Sequence, residues 1–183
     1  MEEKTIVSEA KKTSVLDAVF EWISAAVIAL VMVSLLFSLF FRIVDVSGDS
    51  MTNTLQNKEK LVLTSIITQP KYGDIVVVRR EYDSPLIKRV IGLPGDKIFI
   101  DDSTGIVYRN GEALDETYVR GGFTPSKGLT TAYVVPEGGI FVMGDNRSES
   151  LDSRMLRNSI TMQDVVGVVT YRLNPLQSLR NGD

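Results

Sequence analysis

Ser50 and Lys88 are the two residues of this sequence whose types could together perform acyl-transfer chemistry. Ser50 follows Gly48 by two positions, and a glycine lets the backbone turn sharply or approach a ligand closely. Ser50 could therefore present both its hydroxyl and its own backbone N–H to a substrate. Taken alone, a serine near a glycine is more often an ordinary turn residue, so Ser50 by itself indicates little.

Lys88 lies in the middle of a predicted strand at residues 86–91, among apolar neighbours. The two-residue period of a strand places it on the same face as Leu86 and Val90. Burial disfavours an ammonium and lowers the pKa of a lysine from about 10.4, by as much as 3–5 pH units at fully buried positions. The neutral amine is then a competent general base for a serine hydroxyl. The alternative interpretation is an edge-strand lysine that prevents aggregation.

Histidine and cysteine are both absent from the sequence. Without cysteine there can be no disulfide, thiol nucleophile or cysteine-ligated metal, and without histidine there can be no Ser-His-Asp triad. The commonest zinc ligand is missing too, so we expect neither a metal nor another cofactor. The base of any acyl-transfer reaction must then be a carboxylate or a lysine. The net charge of −3 argues against a nucleic-acid partner.

A dense run of polar residues at 144–154 follows the predicted strand at residues 140–143. A solvated loop would be the ordinary interpretation of such a run. Its two aspartates, two arginines and three serines could also build a buried network that supports a site.

The first of the elements that must position these residues is an apolar segment, residues 22–41, that contains no charged residue. Twenty residues in a helix span about 30 Å, the thickness of a bilayer hydrocarbon core. The segment is too long for a signal-peptide core, and a buried globular helix is the weaker alternative. Lys4, Lys11 and Lys12 precede it, so the positive-inside rule predicts a cytoplasmic N-terminus. We expect a cytoplasmic tail at residues 1–15, a single-pass anchor in the cell membrane at 16–42 and an extracytoplasmic catalytic β domain at 43–183.

Short β-rich segments separated by turn signals follow the anchor. They predict a mainly β fold, an antiparallel β sandwich or open barrel with one N-terminal transmembrane α-helix. Asn110-Gly111 predicts a type I′ hairpin turn. Residues 101–136 are expected to form an inserted cap or hairpin region, with a mobile loop at residues 121–128. The predicted strands lie at residues 43–46, 60–63, 74–78, 86–91, 97–100, 106–109, 112–114, 132–135, 140–143 and 165–171.

Three sequence boxes resemble the signature motifs of bacterial type I signal peptidases of the shorter, Gram-positive type. The first is GDSM at residues 48–51, followed by Thr54 and Leu55. The second is KRVIGLPGD at residues 88–96, and the third is GDNR at 144–147 with Ser150 and DSR at 152–154. The boxes occur in the family's order after a single span, and the resemblance extends from the membrane helix to about Tyr171.

The resemblance implies a serine endopeptidase with Ser50 as nucleophile and Lys88 as general base. It would cleave N-terminal signal peptides from exported preproteins, after small residues at −1 and −3, through an acyl-enzyme. The Ser50 N–H would serve the oxyanion hole, Gly48 replaces the hydroxyl donor of some relatives, and Ser150 would position Lys88. The implied supporting network is Arg89, Asp145, Asn146, Arg147, Asp152 and Arg154. The implied walls of the substrate groove are Val44, Val46, Met51, Leu55, Leu86 and Ile87.

Asn53 departs from the family pattern, which usually has proline at this position. Because proline restricts φ, we expect its loss to loosen the segment behind the nucleophile. The implied partners are preprotein signal peptides, the lipid bilayer and the secretion translocon.

Three alternatives share parts of this pattern. They are an enzyme dedicated to a few substrates such as pilus subunits, a self-cleaving repressor-type peptidase, and an inactive relative that acts as an assembly chaperone. The membrane span argues against the second alternative, and the presence of both Ser50 and Lys88 argues against the third.

Overall fold

The computed structural model of the protein describes residues 15–64, 69–80, 83–156 and 160–179. Residues 1–14 of the predicted cytoplasmic tail therefore lie outside the described residues. The chain divides into an N-terminal unit, Met1–Ser38, and a larger unit, Leu39–Asp183.

Helix α1, Val15–Phe40, makes up the described part of the N-terminal unit and ends two residues beyond it. It has 26 residues and is long and apolar enough to cross a bilayer. At 1.5 Å per residue it is about 39 Å long. None of its residues is buried within the described part of the chain, and its surface is apolar on all sides, as is typical of a helix in an apolar environment. The predicted anchor extended to residue 42, but Phe41 and Arg42 belong to the first strand because they pair with Thr64 and Leu63.

In its described residues, the larger unit contains eleven strands, a one-turn helix, α2, Ser153–Leu156, and two short 3-10 helices at Arg120–Gly122 and Met162–Asp164. The strands are β1 (Phe41–Asp45), β2 (Lys60–Thr64), β3 (Ile75–Arg80), β4 (Asp83–Gly92), β5 (Lys97–Asp101), β6 (Ile106–Arg109), β7 (Glu112–Ala113), β8 (Tyr133–Val134), β9 (Phe141–Met143), β10 (Val165–Leu173) and β11 (Leu176–Ser178).

These strands form two antiparallel sheets. The first sheet has the order β1-β2-β10-β3-β4-β9, and β11 also pairs with β10. The second sheet has the order β7-β6-β5-β8, and β6 to β8 come from the region predicted to be an insertion. Asn110 and Gly111 have φ values of 56° and 89°, as a type I′ turn requires. The predicted mainly antiparallel β fold with one N-terminal apolar helix is confirmed.

Strand β3 is buried on both faces, and its alternating side chains enter two different hydrophobic cores. Ile75 and Val77 belong to the first core, with Leu61, Leu63, Val46, Met51, Leu55 and Val169. Val76 and Val78 belong to a core on the opposite face that includes Val90, Val142 and Val168. Because the first core contains the residues that surround Ser50, the segment carrying Ser50 packs directly on the first sheet.

The segment predicted to be a mobile loop, residues 121–128, is fastened by buried polar side chains. Thr124 and Ser126 are 1% and 5% exposed. Thr124 Oγ1 accepts a hydrogen bond from Arg147 Nη1 (2.6 Å), and Ser126 Oγ donates one to Asp102 Oδ2 (2.9 Å). The composition suggested a mobile loop, and it could not indicate these hydrogen bonds because their partners are distant in sequence.

Candidate active site

Ser50 lies in a pair of tight turns between β1 and β2. The Thr52 N–H donates a hydrogen bond to the Asp49 carbonyl (3.1 Å), and the Leu55 N–H donates one to the Met51 carbonyl (2.8 Å). Met51 and Leu55 are 1% and 0% exposed, so both side chains anchor the turn in the first core. This anchoring holds Ser50 in place while the residue remains partly exposed.

Lys88 lies in the middle of β4, opposite Val76 of β3, and is 2% exposed. Its Nζ atom lies 2.6 Å from Ser50 Oγ, which is within hydrogen-bond distance. The two residues are 38 positions apart in sequence, and the first sheet brings them together. This distance meets the geometric requirement for a serine nucleophile and a lysine general base.

Burial lowers the pKa of Lys88 from 10.5 to about 8, because an ammonium is poorly solvated at this position. The carboxylates of Asp152 and Asp145 oppose the change, whereas the positive charges of Arg154 and Lys127 lower the pKa further. A pKa near 8 leaves a substantial neutral fraction of the amine at neutral and mildly alkaline pH, which a general base requires.

Asp145 and Arg89 form a buried ion pair beside this dyad. Arg89 Nε donates to Asp145 Oδ1 (2.9 Å), and Arg89 Nη2 donates to Oδ2 (2.6 Å). The Thr54 hydroxyl also donates to Asp145, and Arg89 Nη1 donates to the Gly73 carbonyl (2.8 Å). The Arg89 guanidinium lies 4.0 Å from the ring centre of Tyr118. The pair therefore ties β4 to the turn that carries Ser50.

Asp152 and Arg154 form a second buried pair. Arg154 Nε and Nη2 donate to the two carboxylate oxygens of Asp152 at 2.8 and 2.7 Å. Burial acts to raise the pKa of Asp152, but the hydrogen bonds and charge of Arg154 outweigh it and lower that pKa. Asp152 therefore keeps its negative charge although it is fully buried.

Arg147 forms an ion pair with Glu116, a residue outside the three boxes. Its guanidinium is fully buried and donates to the two oxygens of Glu116 at 2.8 and 2.6 Å. Arg147 Nε also donates to the Gly144 carbonyl (3.0 Å). Glu116 lies between β7 and β8, in a stretch without any pattern that singled it out, so sequence reasoning missed it.

Asn146 and Gly144 contact the nucleophile turn directly. The Asn146 N–H donates to the Ser50 carbonyl (3.0 Å), and Asn146 Nδ2 donates to the Asp49 carbonyl (3.1 Å). A Cβ atom added to Gly144 would collide with the Ser50 carbonyl oxygen and with Ser150 Oγ. Gly144 is therefore required by close packing, a role that sequence reasoning did not assign.

Ser150 is 1% exposed and accepts a hydrogen bond from the Gly144 N–H (3.2 Å). Its hydroxyl also hydrogen-bonds with Asp152. Both partners of Ser150 belong to the third box. Its suggested role in positioning Lys88 stays a prediction. The Gly48 N–H donates to Asn57 Oδ1 (3.3 Å), so Gly48 already has a hydrogen-bond acceptor within the protein.

A groove of about 420 Å³ lies between β1 and β4. Val44 and Ile87 line it, together with Leu63 and Val77 of the first core. Val46, Met51 and Leu55 are buried in that core, and Leu86 is half-buried on β4 outside the set of lining residues. Of the six residues expected to form the groove, Val44 and Ile87 therefore line it, three are buried in the first core, and Leu86 lies next to Ile87 on β4.

The strands on either side of this groove have few strand partners within the described residues. Among the described strands, β1 pairs only with β2, and β9 pairs with β4 only at Arg89, Val90 and Gly92. An extended chain could therefore form backbone hydrogen bonds at either edge.

No group of three or more acidic side chains within the described ranges is arranged to hold a metal ion.

Comparison with known proteins gives a family for this chain. The family model described as "Signal peptidase, peptidase S26" matches residues 19–173. The chain belongs to the signal peptidase family.

Among its relatives is signal peptidase I of Bacillus licheniformis, with 34% identity over 195 aligned residues, 97% of this chain and 100% of the relative. Another is signal peptidase I S of Bacillus subtilis, with 35% identity over 185 residues, 93% of this chain and 95% of the relative. A crystal structure of signal peptidase I from Enterococcus faecalis is 31% identical, with a TM-score of 0.48, and the match covers 57% of this chain and 100% of that one.

Asn53 has a φ of 105° in this member of the signal peptidase family. Proline is confined to φ near −65°, so the usual family residue could not adopt this backbone conformation. The absence of proline is therefore a requirement of the local conformation, rather than only a loss of stiffness.

We expect Asn53→Pro to lower the free energy of unfolding by about 2–3 kcal/mol, because the turn would have to rearrange. Asn53→Gly should leave it within about 1 kcal/mol, because glycine adopts positive φ at no steric cost. Urea denaturation of the detergent-solubilised chain measures both changes. A more stable proline variant would contradict the prediction.

Proposed function

We propose that this signal peptidase family member is a membrane-anchored serine endopeptidase that removes N-terminal signal peptides from exported preproteins. The observation that carries the proposal is the 2.6 Å distance between Ser50 Oγ and Lys88 Nζ, at a lysine that is only 2% exposed. Family membership across residues 19–173 supports the substrate class. The absence of histidine leaves Lys88 as the base within reach of Ser50.

In the proposed reaction, the neutral amine of Lys88 takes the proton of Ser50 as Oγ attacks the carbonyl carbon of the −1 residue. The resulting oxyanion accepts a hydrogen bond from the Ser50 N–H, a contact typically worth about 3–4 kcal/mol in the transition state. The Lys88 ammonium then protonates the leaving amine, which is the new N-terminus of the mature protein. Lys88 next deprotonates a water molecule, which hydrolyses the ester on Ser50 and releases the signal peptide as a carboxylic acid.

The groove between β1 and β4 would bind the substrate as an extended strand. Its backbone would pair with residues 44–48, at the end of β1 and just after it, and with residues 83–86 at the start of β4. Val44 and Ile87 narrow the groove, which is consistent with selection of small side chains at −1 and −3. The roles of Val46, Met51, Leu55 and Leu86 would then be to shape and support this surface.

The proposed topology is a single pass through the cell membrane, with a cytoplasmic N-terminus and an extracytoplasmic catalytic domain. Helix α1 supports the anchor because it is long and apolar enough to span a bilayer. Lys4, Lys11 and Lys12 support the orientation through the positive-inside rule. A preprotein leaving the secretion translocon would then present its cleavage site on the same side of the membrane as the catalytic domain.

Incubation of the detergent-solubilised full chain with a mixture of preproteins tests this function. Mass spectrometry of the products should locate single cuts after small residues at −1 and −3, and EDTA should not change the rate. Uniform cutting across the mixture would indicate a general enzyme, and cutting of one or two preproteins a dedicated one. A folded chain that cuts none of a broad set, in the presence of lipid, would contradict the proposal.

A further inference from the structure

The segment Thr124–Lys127, called here the clasp, is fastened to the polar run that forms the third box. Arg147 Nη1 donates to Thr124 Oγ1 (2.6 Å), and Arg154 Nη1 donates to the Pro125 carbonyl (2.7 Å). Successive clasp residues thus contact the two buried arginines of the box.

Lys127 makes the contacts that complete the clasp. Its Nζ donates hydrogen bonds to the carbonyl oxygens of Ser148 and Ser150, both at 2.8 Å. Lys127 itself has a φ of 49°, and the next residue, Gly128, has a φ of 88°. The Lys127 ammonium thereby fixes the positions of two carbonyl groups in the loop at residues 148–150.

The loop at residues 148–150 contacts groups that lie next to Ser50 and Lys88. Ser150 packs against Gly144, whose backbone lies so close to the Ser50 carbonyl that no side chain fits between them. Ser150 also hydrogen-bonds with Asp152, one of the carboxylates that act on Lys88. A shift of the loop would therefore move both the support of the nucleophile turn and the charges around the base.

We propose that Lys127 is a positioning residue for the dyad, and that it acts by holding the Ser148–Ser150 backbone against the clasp. The proposal rests on the proposed function, because it assigns Lys127 a part in that reaction. Lys127 does not contact the dyad in the described structure, so it is not itself a catalytic residue. Its side chain is partly exposed, whereas the loop it holds contains the fully buried Ser150.

The charges around Lys127 give this role a measurable signature. Arg154, Asp152 and Glu149 act on Lys127, and its own positive charge helps to lower the pKa of Lys88. Removal of that charge should therefore raise the pKa of Lys88. The acid limb of the pH profile should then move to higher pH, an effect that a merely structural residue would not produce.

The experiment compares Lys127→Met, Lys127→Gln and Lys127→Arg in the detergent-solubilised full chain. Lys127→Met should lower kcat by about 10- to 100-fold, as expected for small displacements of catalytic groups, and should move the acid limb upward. Lys127→Gln keeps two N–H donors but lacks the charge. Its kcat should therefore be higher than that of Lys127→Met, while its acid limb should lie at the same raised pH. Lys127→Arg should recover both. Lys58→Met is the matched control, because Lys58 also has a positive φ (73°) and is exposed.

Two outcomes would overturn the proposal. One is a kcat for Lys127→Met within twofold of the parent chain at every pH. The other is a loss of activity that only follows the folded fraction measured by circular dichroism, with an unchanged profile. The pKa of Lys88, measured by NMR of ¹³C-labelled lysine, needs no activity, so it separates failure of this proposal from failure of the proposed peptidase function.

Discussion

Replacement of Ser50 by alanine should reduce preprotein cleavage by a factor on the order of 10⁴ or more, because no other nucleophile takes its place in the proposed reaction. Ser50 Oγ is the atom 2.6 Å from Lys88 Nζ, and alanine removes only this oxygen. Met51 and Leu55 still anchor the turn in the first core, so the fold should survive. The measurement is kcat/KM for a preprotein, with circular dichroism of the same sample.

Ser178→Ala is the matched control, since Ser178 lies on the exposed strand β11. It should retain full activity under the same conditions. Substantial cleavage by a pure Ser50→Ala sample would show that the nucleophile lies elsewhere, and the site assignment would then be wrong.

Replacement of Lys88 by arginine or methionine should also abolish cleavage, because neither residue can accept the proton of Ser50. A guanidinium stays protonated at any working pH, and a thioether is not a base. Lys60→Arg is the matched control, because Lys60 lies on β2 with an exposed side chain. An active Lys88→Arg variant would exclude Lys88 as the general base.

In the unaltered chain, kcat/KM should rise with pH through about 8, because only the neutral amine of Lys88 can act as a base. The neutral fraction falls about tenfold per pH unit below the pKa, so activity at pH 6 should be about a hundredfold below the alkaline plateau. A flat profile from pH 6 to 9 would contradict this mechanism.

Lys88 also links stability to pH with a defined sign. Burial holds its folded-state pKa at about 8, below its ordinary value of 10.5, so the unfolded chain binds more protons between these two values. The contribution of Lys88 to the free energy of unfolding therefore rises with pH across this window, and at pH 7 the protonated residue is destabilising. Lys88→Met should thus be inactive yet more stable than the parent chain at pH 7, which separates lost catalysis from lost folding.

The strands could be predicted because each depends on a local pattern, and the candidate dyad could be proposed because of a simple absence. Alternation of apolar and polar residues over a short segment indicates a strand whatever its packing partners are. Asn110-Gly111 specifies a hairpin turn by its local backbone preferences alone. The lack of histidine and cysteine left few candidates for a base, and the three boxes identified the residues around it.

Partners of the buried charges could not be predicted in the same way. Arg147 pairs with Glu116, 31 positions away and outside the boxes, because the second sheet brings that segment over the polar run. Lys127 was assigned to a mobile loop, yet it donates to two carbonyl groups more than twenty positions further along the chain. Composition describes which groups need partners, but only the packing of the two sheets decides which partners they obtain.

Ser50 and Lys88 were thus identifiable as candidates from residue types, spacing and the absence of other bases. The apolar segment, most strands and the hairpin turn could also be predicted, because they follow from periodicity over neighbouring residues. The 2.6 Å approach of Ser50 and Lys88, the positive φ of Asn53 and the end of the helix at Phe40 became visible only in the folded chain. Each of these depends on contacts between residues distant in sequence, and such contacts form only when the sheets pack together.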